Sequence, residues 1–600
     1  MDWRAKVEAL FRIPDIYLAG LSNKGNQIVY VSNETGSYQL WSLDLQTMRR
    51  KQISYGEDRV TSVDVSKDSE VVIFARDKGG NERHQIFLTD SIKGVERRIS
   101  DLPPIRIMSV KISPNSDMIA FTGADQEANK LFLMKFDGSY ETIYQRSTGI
   151  FITDWSKNGL ITASSWSADE PKVSYLIFYN IPKDSIIVYT PRDGSENLLP
   201  VISPDGSRIL FMTNAEDYKR YNLAIYDIKN NEIQYLRAKE YGFDFVYYEW
   251  FHNKNAVYYI AKKNGETNIY IENLDDGNVM QVNGLKGFIS SAKITDDDEY
   301  IYITHSSLSS PRSIYKINIR SGDINTILKP DVPNELLNDL SEAKFIKYVS
   351  FDGLEIPTYI IESKNAKKPG PSVIWVHGGP WWEVANEWNP SIQALAISGL
   401  HVIAPNFRGS TGYGPEFQYM DIGDPGGGDL QDIIYARKHS IEIGLSEPDK
   451  IAIAGASYGG FMTYIATVKA PDMWKAAVAI VGIVDWLEMY ELSDAAFRSF
   501  IERLLAGKPE EKIELYKDRS ATNFAEKLKA PLLIWHRAND SRVPLKPVLK
   551  YAMKLLDLNK NFELHVVPEE GHGPQRIENM LKQTIYMIEF LRKYLIRDQT

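Results

Sequence analysis

Between about Ser22 and Gly322 the chain alternates apolar strands and polar turns in one recurring order: a Ser/Asn/Asp/Gly turn, a short apolar strand, a polar gap, a second aromatic-rich strand and another turn. SKDSEVVIFARDKGGNERHQIFLTD, SPDGSRILFMTNAEDYKRYNLAIYDI and TDDDEYIYITHSSLSSPRSIYKINIRSG are three of the copies. About seven of them follow one another at roughly 45-residue spacing, the length of a four-stranded propeller blade. Alternation such as Ile301-Tyr302-Ile303-Thr304 and turn signals such as Pro-Asp-Gly specify antiparallel strands rather than helices. A sandwich of unrelated hairpins is the competing arrangement, but it has no reason to keep a fixed period.

The pattern breaks in LKPDVPNELLNDLSEAKF, where two prolines and a polar stretch mark a linker. Beyond it, SVIWVHGG, LHVIAPNFRG, KIAIAGAS, KAAVAIVGI, PLLIWHRA and FELHVVPE are nearly continuous apolar strands. Amphipathic segments separate them, including GGDLQDIIYARKHS and GGFMTYIATVKA. Such strands are buried on both faces, which predicts a doubly wound, mostly parallel sheet. The expected organisation is an N-terminal helical segment over 1–20 placed to pack on the second domain, an all-β seven-bladed propeller over 21–327, a linker over 328–345 and an α/β domain over 346–600.

Composition narrows the function. The chain has 600 residues, 43% hydrophobic and 25% charged, which suits a multidomain globular protein. A net charge of -10 offers no broad basic face, so nucleic acid is not an expected partner. The absence of cysteine excludes disulfides, thiolate catalysis and Cys-ligated metal centres. The N-terminus mixes charges among its apolar residues, and no run approaches the roughly 20 apolar residues of a membrane span. A cytoplasmic protein without a membrane partner is expected, and assembly into a homo-oligomer is left open.

Gly455-Ala456-Ser457-Tyr458-Gly459 follows an apolar strand and opens a helical segment, the context of a nucleophile elbow in an α/β-hydrolase. A serine hydroxyl attacks only when a positioned base takes its proton. Asp540 follows PLLIWHRA and His572 follows FELHVVPE, both at strand C-terminal ends, and the order Ser, Asp, His is that of this fold. A developing oxyanion needs backbone donors, which Tyr458 and the loop His377-Gly378-Gly379-Pro380 are placed to give. Taken singly, Asp540 is a turn residue and His572 a loop residue; their joint placement makes a triad. The stretch Gly409 to Gly414 has the wrong spacing for a dinucleotide fingerprint, and neither metal, nucleotide nor any other cofactor is implied.

Propeller repeats followed by HGGP, NFRGSTGYG, GDPGGGDLQD, GASYGG, NDSRVPLKP and EEGHG resemble the prolyl oligopeptidase family of serine peptidases over nearly the whole chain. The segment from Ile483, IVDWLEMYELSDAAFRSFIERL, is most similar to archaeal acylaminoacyl peptidases. The resemblance implies Ser457, Asp540 and His572 as the triad and the backbone of Tyr458 and Gly379 as the oxyanion hole. It implies that Phe497 and Phe500 line the pocket for the side chain preceding the scissile bond, and that Arg106 and Phe151 reach the substrate's acyl portion. Dipeptidyl peptidases of this family hold a free ammonium with paired glutamates, and no such pair is evident, since Glu249 stands alone. The implied partners are short N-acylated peptides, from which an N-acylated amino acid is released through an acyl-enzyme. A broad oligopeptidase or carboxylesterase with the same triad is the enzymatic alternative. An inactive propeller scaffold is the alternative of another class.

Overall fold

The computed structural model describes residues 2–22, 24–282 and 284–596. Residues 16–328 form seven four-stranded antiparallel sheets, each built from four consecutive strands: 16–52, 60–98, 106–146, 150–189, 197–235, 244–281 and 288–328. These are the seven blades of a propeller. In every blade the pairing of the first two strands slips once. Such bulges increase the local twist that curves an inner strand. The first blade closes directly on the seventh: Leu18 N–H donates to Thr304 Oγ1 at 2.8 Å, and Arg312 pairs with Asp15 at 2.8 Å. Ile16, Leu18 and Leu21 pack there with Tyr302 and Ile314. The inner strand of the first blade thus begins at Ile16, ahead of the boundary expected at residue 21.

The second domain holds an eight-stranded sheet. Its strands lie side by side in the order Ala343–Val349, Glu355–Ile361, His401–Pro405, Gly370–Val376, Ser446–Ala456, Ala477–Ile480, Leu532–Arg537, Phe562–Val567. The strands from His401–Pro405 to Phe562–Val567 run parallel, and the first two pair antiparallel at one edge. The first begins inside the expected linker, because AKFIKYV is half exposed and lacks the unbroken apolar character of the central strands.

Alternating side chains of the central strands face opposite ways, the period-2 geometry of a pleated sheet. Ile374, Val376, Ile451 and Ile453 join a core with the helices Gly428–Glu442, Tyr458–Lys469 and Leu545–Asp557. Val373, Trp375, Ala452 and Ala454 join another with the helices Pro390–Ile397 and Ile577–Leu595 and with Val7, Leu10 and Phe11 of the N-terminal helix Trp3–Phe11. That helix therefore packs on the hydrolase domain, and Arg4 to Glu589 (2.5 Å) and Lys6 to Asp339 (2.8 Å) fasten its polar side. Among the described residues no helix is long and apolar enough to cross a membrane.

Candidate active site

The strand Ser446–Ala456 passes into the helix Tyr458–Lys469 through Ser457 alone, whose backbone sits at φ 58° and ψ -118°. A positive φ on a residue with a side chain costs roughly 1 to 3 kcal/mol and persists only where the surroundings impose it. Here Ser457 N–H donates to Ile480 O at 2.9 Å on the neighbouring strand. The turn is tight enough to need glycine on both sides: a Cβ on Gly455 would lie 2.5 Å from Gly459 O, and one on Gly459 would lie 2.0 Å from Val376 O. The hydroxyl is left at the C-terminal edge of the sheet and at the N-terminus of the helix.

His572 Nε2 lies 2.9 Å from Ser457 Oγ, and its Nδ1 lies 2.8 Å from Asp540 Oδ2. Asp540 Oδ1 accepts the backbone N–H groups of Arg542 at 3.0 Å and Val543 at 2.9 Å. Burial works against ionisation of Asp540, but the charge and hydrogen bond of His572, with smaller help from His536 and Val543 N–H, outweigh it and hold the carboxyl below its usual range. The loop carrying His572 is fastened by Arg537, which donates to His572 O and to Gln583 and forms an ion pair with Glu570. A hydroxyl, an imidazole and an ionised carboxylate thus form one hydrogen-bonded line, the arrangement that activates a serine for attack on a carbonyl.

Two backbone elements border the hydroxyl. Tyr458 is the first residue of its helix, so its N–H has no intrahelical acceptor. The loop after Gly370–Val376 approaches from the other side: a Cβ on Gly378 would lie 3.4 Å from Ser457 Cβ. Gly379 follows at φ +119°, a conformation that favours glycine. The stretch after His401–Pro405 braces this loop. Asn406 Oδ1 accepts Val384 N–H at 2.7 Å, and Thr411 N–H donates to Trp382 O at 3.0 Å. That is the structural role of NFRGSTGYG. Tyr458, fully buried, donates its hydroxyl to Asp429 Oδ2 at 2.5 Å. Burial pushes the Asp429 carboxyl up to about 6, against the pull of that hydrogen bond and of backbone N–H donors.

Phe497 and Phe500 lie half-buried on the helix Ala495–Leu504, their rings 5.9 Å apart. Phe500 meets Trp381 edge to face at 5.6 Å. Arg503 lies over Trp381 at 4.4 Å and over Trp166 of the fourth blade at 4.7 Å. Trp166 meets Phe151 at 5.3 Å. One aromatic wall therefore links Phe151 in the propeller to Phe497 in the hydrolase domain. Arg106 lies over Phe497 at 4.8 Å, but its guanidinium is largely committed: Nε donates to Asp494 at 2.7 Å, Nη1 to Glu82 and Nη2 to Ser541 at 3.3 Å. Among the described residues, two of its five N–H groups are left without a partner. Glu249 is placed elsewhere, in the propeller channel beside Tyr247 and in a cavity of about 520 Å³ that Asp64, Lys111, Asp154 and Lys293 also line.

Several residues at this junction escape sequence reasoning. Trp381 and Arg542 stand inside the motifs HGGPWWE and NDSRVPLKP but have no chemical signature of their own. Glu82 and Glu196 sit in propeller turns, and only their burial against Arg106 and Arg503 marks them. A propeller set against an α/β domain whose sheet edge carries a serine, a histidine and a carboxylate in one line defines a propeller-bearing serine hydrolase.

The sequence agrees. Residues 386–597 match the prolyl oligopeptidase family, and residues 29–315 match the acylamino-acid-releasing enzyme-like N-terminal domain. Over residues 386–597, its catalytic domain, the chain belongs to the prolyl oligopeptidase family of serine peptidases. It is 27% identical over 342 residues to the uncharacterized peptidase YuxL of Bacillus subtilis, covering 55% of this chain and 51%, about half, of that relative. Dipeptidyl-peptidase 5 of Porphyromonas gingivalis is 24% identical over 592 residues, 93% of this chain and 83% of its own. The fold matches a puromycin-hydrolyzing peptidase of Mycobacterium tuberculosis with a TM-score of 0.86 at 15% identity, covering 100% of this chain and 96% of that one. It also matches the acylaminoacyl peptidase of Pyrococcus horikoshii with a TM-score of 0.74 at 20% identity, covering 98% and 97%.

Proposed function

We propose that this peptidase releases an N-acylated amino acid from short peptides through an acyl-enzyme on Ser457. His572 takes the hydroxyl proton as Oγ attacks the carbonyl, and Asp540 holds the imidazole in the required tautomer. The N–H groups of Tyr458 and Gly379 receive the oxyanion, each worth roughly 3 kcal/mol of barrier. His572 then gives its proton to the departing amine, and a water activated by the same imidazole hydrolyses the ester. The observation that carries this reading is the hydrogen-bonded run from Ser457 through His572 to Asp540.

The blocked amino terminus is supported by where the propeller's buried carboxylates are spent. Glu82 is bound to Arg106 and Arg542, Glu196 to Arg503, Tyr221 and Tyr419, and Asp244 accepts Gly412 N–H beside Lys262. A substrate ammonium brought to any of them competes with a resident cation. The domain matched by residues 29–315 points the same way. The second reading, a dipeptidyl peptidase or broad oligopeptidase acting on free amino termini, draws on the relative that spans 93% of the chain. N-acetyl-phenylalanine p-nitroanilide, its free-amine counterpart and the matching ester separate these readings. The acetylated anilide is expected to exceed the free amine by roughly 5- to 150-fold in kcat/KM. Equal rates select the broad reading, and hydrolysis of the ester alone selects a carboxylesterase.

A further inference from the structure

A second cavity, of about 180 Å³, lies between the propeller and the hydrolase loops, lined by Arg59, Asp77, Glu82, His84, Arg106 and Arg542 among others. Three of these six are guanidiniums and two are carboxylates. Glu82 is taken by Arg106 and Arg542; Asp77 Oδ2 accepts Glu82 N–H at 2.6 Å, while its Oδ1 is buried without a hydrogen-bond partner and its charge acts on Arg59 from beyond ion-pair distance. Arg59 differs from its neighbours. Among the described residues its guanidinium has no hydrogen-bond or ion-pair partner, and its Nε is buried without one. It rests against the residue that follows the imidazole of the active site, since a Cβ on Gly573 would lie 2.4 Å from Arg59 Nη1.

A second donor faces the same space. His84 is 5% exposed, and its Nδ1 accepts Ile107 N–H at 3.1 Å. Burial lowers its pKa to about 4, so at neutral pH the ring holds one proton, and that proton resides on Nε2. Nε2 is therefore a donor with no protein acceptor among the described residues. A half-buried guanidinium whose Nε is buried without an acceptor, and the Nε2–H of a buried histidine that faces the cavity without one, make a site for an acceptor group that carries negative charge. Counting Asp494 behind Arg106, the three guanidiniums stand against three carboxylates, and among the described residues Arg59 is the guanidinium of the lining with no carboxylate within ion-pair distance. Asp494 compensates Arg106 from the other side, through Nε.

The cavity adjoins the aromatic pocket. Arg106 and Arg542 lie over the Phe497 ring at 4.8 and 5.8 Å and also line the cavity, so they form the partition between the two. In the reading above, a substrate whose side chain rests on Phe497 carries its acyl group past this partition. We propose that the cavity receives a carboxylate on the acyl side of the substrate, such as a succinyl group or an acidic residue preceding the cleaved one, with Arg59 and His84 as its donors. This inference rests on the peptidase reading and gives it a substrate class.

The test compares kcat/KM for N-succinyl-phenylalanine and N-acetyl-phenylalanine p-nitroanilides in the full chain at neutral pH, so that losses common to both substrates cancel. The succinyl compound is expected to win by about tenfold. Arg59→Gln is expected to bring the ratio close to one, Arg59→Lys to restore a part of it, and His84→Gln to lower it with Arg59 in place. A wild-type ratio at or below one overturns the proposal, as does a ratio that survives both Arg59→Gln and His84→Gln. Free succinate forms a separate arm. If millimolar succinate alters hydrolysis of the acetyl substrate while the ratio stays at one, the site takes a free anion and the substrate assignment is overturned. Failure of the N-acyl reading shows instead as equal rates on the acetylated and free-amine anilides, a comparison that does not involve succinate.

Discussion

Arg106 of the third blade donates through Nε to Asp494 of the hydrolase domain at 2.7 Å, and Asp494 in turn caps the helix that carries Phe497 by accepting its N–H at 3.0 Å. One propeller guanidinium thereby fixes the ring against which a substrate side chain is proposed to lie.

Arg106→Ala is accordingly expected to act on position rather than on acyl selectivity. Glu82 and Asp494 lose a buried partner, which costs about 3 kcal/mol of stability, and kcat/KM falls for blocked and free-amine substrates together. Steady-state kinetics on the paired anilides check this. A collapse of the blocked-to-free ratio without loss of melting temperature would show instead that the two remaining N–H groups of Arg106 serve the acyl group.

Glu82 gives a pH signature. Burial opposes its ionisation, but Arg106 and Arg542 outweigh it and drive the carboxyl far below its usual range. A folded-state pKa below the unfolded one contributes stability that is complete above the unfolded value, about 4.5, and is lost as pH falls towards the folded value. Glu82→Gln is expected to lower the melting temperature at pH 7, with the difference from wild type shrinking below about pH 4.5. Melting curves from pH 7 to pH 3 test it, and a difference that grows on acidification contradicts the ion network.

Gly459→Ala is expected to remove activity. The added methyl lies 2.0 Å from Val376 O, a contact that neither backbone can relieve without moving the elbow. A loss of at least about 100-fold in kcat is predicted. Circular dichroism separates a displaced elbow from an unfolded domain, and near-wild-type turnover would show that the turn has slack.

Phe500→Ala opens the wall between Trp381 and Phe497. Loss of the apolar contact is expected to lower kcat/KM for phenylalanine and leucine substrates by about 10-fold and for alanine substrates by far less. An equal loss across the series identifies Phe500 as core packing.

The catalytic candidates are legible because each combines a side chain with a position that the sheet enforces. Ser457 sits between glycines after an apolar strand, and Asp540 and His572 follow the next apolar strands but one and two. The propeller is legible because a blade repeats. What escapes is made by contacts distant in sequence. Arg106 looks free in PPIRIMS, but its partners Glu82, Asp494 and Ser541 are set by how two domains meet, which no local pattern encodes. Arg59 and His84 fail to stand out for the same reason, since their significance is a guanidinium and an Nε2–H that face a cavity without acceptors among the described residues. The edge strand Ala343–Val349 is missed because half exposure weakens its apolar signal.

The most direct test of the covalent route is the mass of the chain after reaction with an organophosphonate, with the modified peptide sequenced and turnover measured in Ser457→Ala. One adduct per chain on Ser457, with hydrolysis in the variant below about one thousandth of wild type, is the predicted result. An adduct on another serine, or a Ser457→Ala variant that keeps more than that fraction of activity, contradicts it.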